Sequence, residues 1–318
     1  STLLASSAAS DVYKRQDIIN VKDKVIEFET GNVLIGSVSR LYMSNKCLLI
    51  ADHKSVDKQI HIFNKNDFSY LTSIGNFGEG PEEITVMGCL AIDEAHHQLY
   101  VSDHAKQKIF SYDMDSVMVD SLYKPQVKTA MNETLFPSEY QYINDTLSIA
   151  VLIKPTSTST FNQFLGRWNM NTGEMIPMKY THPDIQKKRI TFAASEKAGI
   201  YVECYTRHDL MTICSLDGEL LYNIYGPDWD GGNGNKLQSF GTVMIGNDKI
   251  FVSYCGEDYA RDSFPTKILV FDLEGNYLKT LETGYKISDC CYDSFNNRII
   301  LSLNDVVQFA YLDIDGII

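Results

Sequence analysis

Short apolar segments alternate with polar breaks along almost the whole chain. Six of them share one form, a run of mostly apolar residues that a polar break separates from a second strand-like segment. Their starts lie 51, 48, 53, 50 and 49 residues apart, and they are CLLIAD (Cys47–Asp52), QLYVSD (Gln98–Asp103), TLSIAV (Thr146–Val151), GIYVEC (Gly199–Cys204), KIFVSY (Lys249–Tyr254) and RIILSL (Arg298–Leu303). A period near fifty residues with strand-like spacing is typical of a β-propeller. The pattern therefore predicts six blades.

Each repeat contains four strand-like segments. The third segments, such as KQIHIFN (Lys58–Asn64) and KILVFDL (Lys267–Leu273), are rich in the β-branched and aromatic residues that strands favour. Turns such as Asp217-Gly218 follow them, because Asp-Gly pairs supply the positive φ angles that tight hairpins need. We therefore expect four antiparallel strands in every blade.

The last repeat stops after three strands, at Gly316-Ile317-Ile318. A spare strand lies near the other end of the chain, either in DIINV (Asp17–Val21) or in VIEFET (Val25–Thr30). We expect this N-terminal strand to complete the last blade, which closes the ring and removes an exposed sheet edge. The predicted fold is an all-β, six-bladed propeller that forms a single domain over residues 17–318.

The segment Ser1–Gln16 matches nothing in the repeat. It lacks the charged start and the long apolar core of an intact signal peptide. Its run SSAASDVYKRQ resembles one that recurs at the ends of translated environmental sequence reads. We therefore expect Ser1–Gln16 to be a non-native segment or the remnant of a leader, outside the fold.

Charge and hydropathy exclude several classes of function. The 318 residues carry a formal net charge of −13, and no run rich in Lys and Arg occurs. Binding to nucleic acid needs a basic surface, so we expect none, and an anionic membrane surface is disfavoured for the same reason. No stretch of eighteen apolar residues is present, so we expect no transmembrane segment.

The seven cysteines form no C-x-x-C pair, which leaves no zinc or redox motif. Most fall inside predicted strands, where a free Cys is usually a small buried hydrophobe. Cys204 and Cys214 lie on one predicted hairpin, so a disulfide between them stays an alternative at this point.

The second repeat has the sequence that is most specific for a known repeat family. It reads IGNFGEGPEEI (Ile74–Ile84), then LAID, LYVSD and KIFSYD, and it resembles an NHL-type propeller repeat. The opening VIEFETGNVLIG (Val25–Gly36) resembles the start of the TolB-like six-bladed propellers of Gram-negative bacteria. The resemblance extends over about residues 17–318 and is weakest in the third repeat, where IKPTSTSTFNQ replaces the usual loop. It implies a periplasmic protein or a lipid-anchored one at the outer membrane, and it implies no particular reaction.

Two sets of loops share one face of a propeller: those that join strand two to strand three, and those that join one blade to the next. Charges and aromatic side chains that converge on a concave face form a default binding site. The candidate ligand-face residues are Arg40, Asp52, His53, Asp103, His104, Arg207, His208, Trp229, Glu257, Asp258, Tyr259 and Arg261.

These residues do not all favour a functional interpretation. Asp52 and Asp103 end equivalent strands, which favours a turn-capping role for both. His53 and His104 then follow as exposed loop residues. Trp229 and Tyr259 lie in long loops and are the best candidates for contact with a ligand, because exposed aromatic residues anchor interfaces. Local packing within the loop is the alternative.

A channel metal is the main alternative chemistry. The six-bladed propeller lactonases and related hydrolases hold Ca²⁺ in the central channel with Glu, Asn and Asp side chains from different blades. In this chain Glu139, Asp289 and Asn304 are the candidate ligands, although their spacing does not supply a complete set. The loop GPDWDGGNGN (Gly226–Asn235) departs from the calcium-binding EF-hand spacing, so we interpret it as a flexible connection between blades.

The sequence contains no recognisable catalytic set. The leading hypothesis is a monomeric, exported platform without enzymatic activity or cofactor, which binds a protein, a peptide or a glycan on its loop-rich face. The alternative is a Ca²⁺-dependent hydrolase or lyase of the propeller lactonase type. A third hypothesis is a cytosolic NHL-type interaction module, which free thiols throughout would favour.

Overall fold

The computed structural model describes residues 13–234 and 236–318. These residues form six β-sheets, each built around four antiparallel strands, and the protein is an all-β, six-bladed propeller. Two short strands precede the blades, β1 (Ile18–Asn20) and β2 (Val25–Glu27). The chain divides into two compact units: unit I is Glu29–Pro177, and unit II is residues 13–28 together with Met178–Ile318.

Unit I contains blades one to three. Blade one consists of β3 (Ser39–Met43), β4 (Cys47–Asp52), β5 (Lys58–Asn64) and β6 (Tyr70–Asn76); blade two of β7 (Met87–Asp93), β8 (Gln98–Asp103), β9 (Lys108–Asp113) and β10 (Gln126–Ala130); and blade three of β11 (Phe136–Asn144), β12 (Leu147–Pro155), β13 (Phe161–Trp168) and β14 (Met175–Pro177).

A short helix, α1 (Met114–Val119), interrupts blade two between β9 and β10, and the strand pattern did not predict it. Asp113 caps its start, because its side chain accepts a hydrogen bond of 2.8 Å from the backbone nitrogen of Ser116. Among the described residues, none of the helices has the length and apolar character needed to cross a membrane.

Unit II contains blades four to six. Blade four consists of β15 (Ile190–Ser195), β16 (Ile200–Tyr205), β17 (Leu210–Ser215) and β18 (Leu220–Tyr225); blade five of β19 (Phe240–Gly246), β20 (Lys249–Tyr254), β21 (Lys267–Asp272) and β22 (Tyr277–Glu282); and blade six of β23 (Ile287–Asp293), β24 (Arg298–Leu303) and β25 (Phe309–Asp313), followed by β2.

The second strand of each blade is the most apolar segment of its repeat because it is covered on both faces. Every residue of β4, β16 and β24 is buried. Side chains from neighbouring blades form common cores, as where Leu49 and Ile62 of blade one pack with Val101 and Phe110 of blade two. Burial of one such side chain contributes roughly 1.5–3 kcal/mol, so these strands carry much of the stability.

The N-terminal strand completes blade six, as predicted, and β2 is the strand that does so. Val25 pairs with Leu312 in antiparallel register, which makes β2 the outer strand of that blade. The other candidate segment has a different partner. Strand β1 adds a fifth, parallel strand to the edge of blade five, where Ile19 pairs with Leu281.

Residues 13–16, which we expected to lie outside the fold, contribute contacts to unit II. The ring of Tyr13 stacks on Tyr277 with 5.4 Å between centroids, and Arg15 forms an ion pair with Asp209. The rest of the segment that we set aside, residues 1–12, lies outside the described residues.

All seven cysteines are free and buried. Cys204 and Cys214 do lie on one hairpin, but they do not face each other: Cys204 pairs with Met211, and Cys214 pairs with Tyr201. The register therefore separates the two thiols, and the alternative of a disulfide between them is wrong.

Candidate functional site

One end of each blade carries the loops that join strand two to strand three and the connections to the next blade; we call it the loop end. The other end, which carries the turns from strand one to strand two, is the turn end. In five blades the residue that follows strand two donates its backbone N–H to the carbonyl of a residue just before strand one. These bonds are His53 to Val38 (3.2 Å), His104 to Val86 (2.8 Å), Thr206 to Arg189 (2.9 Å), Cys255 to Ser239 (3.0 Å) and Asn304 to Lys286 (2.8 Å).

Asp52 and Asp103 have the capping role that their positions predicted. Asp52 accepts hydrogen bonds from the backbone nitrogens of Gly36 (2.9 Å) and Lys54 (3.1 Å). Asp103 is fully buried and accepts hydrogen bonds from the backbone nitrogens of Thr85, Val86, Ala105 and Lys106. Both carboxylates tie the incoming connection to the loop after strand two, so they hold the loop end in place.

His53 and His104 lie on either side of Gly88 in unit I. Nε2 of His53 is 3.1 Å from the carbonyl oxygen of Gly88, and a Cβ atom at Gly88 would overlap the ring of His104. His104 packs edge-on against Phe136, with 4.8 Å between the centroids, and its Nε2 is buried without a hydrogen-bond partner. Burial lowers the pKa of both imidazoles. Both rings are half-buried and not the exposed loop side chains that we expected.

Arg40 and Glu139 form an ion pair in unit I between the first strands of blades one and three. Both terminal nitrogens of Arg40 contact the carboxylate, and Nη2 lies 3.3 Å from Oε2. The two side chains are 37% and 40% exposed, so the pair is accessible to solvent. The structure thus joins a predicted ligand-face residue to a predicted metal ligand.

The loop around Tyr259 in unit II is held by backbone hydrogen bonds. Gln238 N donates to Glu257 O (2.8 Å), and Tyr259 N donates to Lys236 O (2.6 Å). Asp258 caps a short 3-10 helix, Tyr259–Arg261, by accepting from the backbone nitrogen of Ala260 at 2.8 Å.

The Arg207 guanidinium lies over the Tyr259 ring, with 4.1 Å between Cζ and the ring centroid, while the ring remains 52% exposed. Glu257 and Arg261 are exposed beside it. Two of the predicted ligand-face residues, Arg207 and Tyr259, therefore contact each other, and the aromatic side chain is held in place and still accessible.

Trp229 belongs to a second aromatic cluster in unit II. Its ring lies 4.9 Å from Tyr225, 5.5 Å from His182 and 6.1 Å from His208, measured between centroids. Nε2 of His182 is 2.8 Å from the Tyr225 hydroxyl, whereas Nδ1 of His208 is buried without a partner. Trp229 is half-buried by these contacts, which favours the packing interpretation for this residue over direct contact with a ligand.

The three predicted metal ligands occupy different surroundings. Glu139 is paired with Arg40 in unit I. In unit II, Asp289 is buried and accepts a hydrogen bond of 2.8 Å from the Thr242 hydroxyl, and Asn304 is exposed. The channel site therefore stays a prediction.

Another group brings metal-ligating atoms together at the turn end of unit I. Among the described residues, Asp93, His96 and Asp145 place one ligand atom each within 4.8 Å of one another. Asp93 already accepts bonds from the Tyr100 hydroxyl (2.7 Å) and from the His96 backbone (3.1 Å). Blade six has the same turn, in which Asp293 accepts from the backbone and side chain of Asn296. The recurrence indicates a turn cap and not a metal centre.

Sequence reasoning missed the surroundings of Asp209. This carboxylate is fully buried at the loop end of unit II, where Arg15, Asp228 and Tyr254 contact it. The signal was partly present, because Asp209 follows Arg207 and His208 in a loop that we had singled out. The contact with Arg15 joins residues far apart in sequence and has no local signature.

Comparisons with known proteins agree with this fold. A model of the DUF5128 family, described as a 6-bladed beta-propeller, matches residues 6–163 and supports a six-bladed propeller family for the chain. A search of functionally curated proteins found none with significant similarity to this chain.

Similar solved structures include a Bacteroides fragilis protein described as a candidate exported protein, with a TM-score of 0.58 and 14% identity over 89% of this chain and 85% of that one. A DUF4221 family member from Bacteroides vulgatus has a TM-score of 0.60 and 11% identity, covering 94% and 98% of the two chains. The WD40 repeats of RRP9 have a TM-score of 0.60 and 10% identity, covering 92% and 97%. At these identities the likeness concerns the fold alone.

Proposed function

We propose that this protein is an exported binding platform without enzymatic activity, whose loop end recognises a protein, a peptide or a glycan. The observation that carries the proposal is the fixed and accessible pair of Arg207 and Tyr259. An aromatic ring that keeps half of its surface exposed, while a cation and a capped turn hold it, loses little conformational freedom on binding. Such a ring suits stacking on a sugar ring or on an aromatic side chain.

Unit I supports the proposal with apolar side chains at its own loop end. Val38 and Val86 occupy equivalent positions before the first strands of blades one and two, and each is about half exposed. Leu34 and Val56, in neighbouring connections of blade one, are 94% and 81% exposed. The Arg40–Glu139 pair adds charges to the same end. Apolar groups beside polar ones are typical of interaction surfaces.

Export is supported by the resemblance to Gram-negative propellers and by the description of the Bacteroides fragilis neighbour. The free thiols do not argue against it. All seven are buried, and burial raises the pKa of Cys204, Cys290 and Cys291, among others. A buried, protonated thiol reacts slowly, so these cysteines are compatible with an oxidising compartment.

The test compares two exposed aromatic residues of unit II at opposite ends of their blades. The protein is screened by biolayer interferometry against an oligosaccharide panel and a peptide panel, and each hit is measured again with Tyr259→Ala and with Phe295→Ala. Phe295 is 79% exposed and lies at the turn end of blade six, which makes it the matched control.

We expect Tyr259→Ala to weaken binding at least about tenfold, as for an interface anchor, and Phe295→Ala to leave it unchanged. Hits that depend on Phe295 and not on Tyr259 would contradict the assignment to the loop end. Turnover of a lactone or ester substrate by the purified protein would contradict the absence of catalysis.

A further inference from the structure

Asp209 and Asp228 form an acidic pocket at the loop end of unit II. Asp209 lies in the loop between β16 and β17, Asp228 lies in the connection from blade four to blade five, and the Asp209 side chain is completely buried. The guanidinium of Arg15 enters this pocket: Nη2 pairs with Asp209 Oδ1, and Nη1 lies 3.8 Å from Asp228 Oδ2. Among the described residues Arg15 is the cation paired with Asp209.

Aromatic rings form the walls of the same pocket. The Cζ atom of Arg15 lies 4.0 Å from the ring centroid of Tyr254 and 5.9 Å from that of Phe240. The Tyr254 hydroxyl donates a hydrogen bond of 2.7 Å to Asp228. Two carboxylates and flat aromatic faces match the planar, delocalised charge of a guanidinium better than they match an ammonium group.

The walls of the pocket are built without help from Arg15. Asp209 Oδ2 accepts a hydrogen bond of 2.9 Å from the backbone nitrogen of Asp228, and Gly226 N donates to Asp209 O at 2.9 Å. Gly226 is required because a Cβ atom there would overlap the Asp209 carboxylate. The walls come from blades four and five, whereas Arg15 belongs to a segment outside the repeat. The site is therefore part of the propeller, and its occupant is supplied from elsewhere.

Removing one partner from a buried ion pair is strongly destabilising, so the pocket favours a cation beside Asp209. We infer that the Asp209–Asp228–Tyr254–Phe240 pocket is a guanidinium-recognition site, into which an arginine side chain of a peptide partner binds in place of Arg15. This inference rests on the proposed function, since it assigns a chemistry to one part of the loop end. Arg15 then acts as a competitor within the chain and lowers the apparent affinity for the partner.

The test uses the full chain with Arg15→Ala and three capped tripeptides that carry arginine, lysine or citrulline between glycines. Citrulline keeps the shape of arginine and lacks its charge. Binding is measured by isothermal titration, and the melting temperature is measured with and without each peptide. Lys197→Ala removes an exposed cation from the turn end of the same unit and serves as the control variant. Arg15→Gln retains amide donors toward Asp209 and replaces Arg15→Ala if that variant does not fold.

We expect the arginine peptide to bind Arg15→Ala at least about tenfold more tightly than it binds wild type or Lys197→Ala, and to raise the melting temperature of Arg15→Ala. Lysine should bind more weakly and citrulline weakest, and adding Asp228→Asn should weaken the arginine complex. Equal binding of arginine and citrulline, equal binding to wild type and Arg15→Ala, or no binding would each overturn the inference. If ligands from the Tyr259 screen still bind in that case, the arginine site alone has failed and the platform stands.

Discussion

Arg40 and Glu139 face each other with two contacts between guanidinium and carboxylate, although the strands that carry them belong to blades one and three. Both side chains are more than a third exposed, so solvent weakens their attraction. We expect Glu139→Gln to lower the free energy of unfolding by less than about 1 kcal/mol, measured by urea denaturation, and the difference to shrink in 1 M salt. A loss of several kcal/mol that does not depend on salt would show that the pair is structural.

Calcium should not stabilise the protein if the loop end is a binding platform only. We expect thermal melts in EDTA and in millimolar Ca²⁺ to have the same midpoint. An ion at a hundredfold over its Kd would add about 2.7 kcal/mol and shift the midpoint by a few degrees. If a shift is seen, Asp289→Asn should abolish it for a channel site, whereas His96→Asn should abolish it for the turn-end group.

Acid should destabilise the folded state through its buried histidines. Burial lowers the pKa of His104 and His208, whereas the unfolded chain takes up these protons near pH 6.5. Below that pH the unfolded state binds more protons than the folded state, so stability falls as the pH drops from 6.5 through the folded pKa values. Urea titrations between pH 7.5 and pH 5 should show this loss, and His208→Phe should reduce it.

His96 should act in the opposite direction. Its hydrogen bond to Asp93 raises the pKa of His96, so its contribution is present at low pH and is lost as the pH rises through that pKa. His96→Asn reproduces the turn of Asp293 and Asn296 in blade six. We expect this variant to fold normally and to lose stability somewhat more steeply in acid than wild type does. A shallower dependence would contradict the sign of this contribution.

Gly88 is required by the His104 ring and not by backbone conformation. A methyl group at this position would meet the imidazole, so we expect Gly88→Ala to cost about 1–3 kcal/mol in urea unfolding. In a His104→Ala background the ring is gone, and the same change should cost much less. If both backgrounds lose the same amount, the overlap with His104 is not the cause.

The thiols should react only after unfolding. A colorimetric disulfide reagent should modify none of the seven cysteines within minutes under native conditions and all seven in denaturant, because each is buried in the fold. If only five thiols react in denaturant, the protein contains one disulfide, which would contradict the register of β16 and β17.

The repeat made the blades and their caps predictable. Each second strand is covered on both faces, which leaves a continuous apolar run in the sequence, and Asp52 and Asp103 recur because each ties the same loop. Helix α1 was missed because it interrupts one blade only. The partner of β1 was missed because three residues in an edge pairing carry no signal of which edge they join.

The candidate site was predictable only in part. Arg207, Tyr259 and Asp258 lie together because the loop between strands two and three of blade four is next to the equivalent loop of blade five. The pairing of Arg15 with Asp209 depends on the completed packing of unit II, so neither residue indicates it locally. The burial of the His104 ring likewise follows from the absence of a side chain at Gly88, a residue that is not its sequence neighbour.

The pairing of β2 with β25 joins two strands that are translated at very different times. Val25 is translated 287 residues before its partner Leu312, the difference between the two residue numbers. At a synthesis rate of roughly 5–20 residues per second, β2 is translated on the order of tens of seconds before the strand with which it pairs. Blade six can be completed only after β25 has emerged, so the first strand of this blade to be translated is the last to find a neighbour.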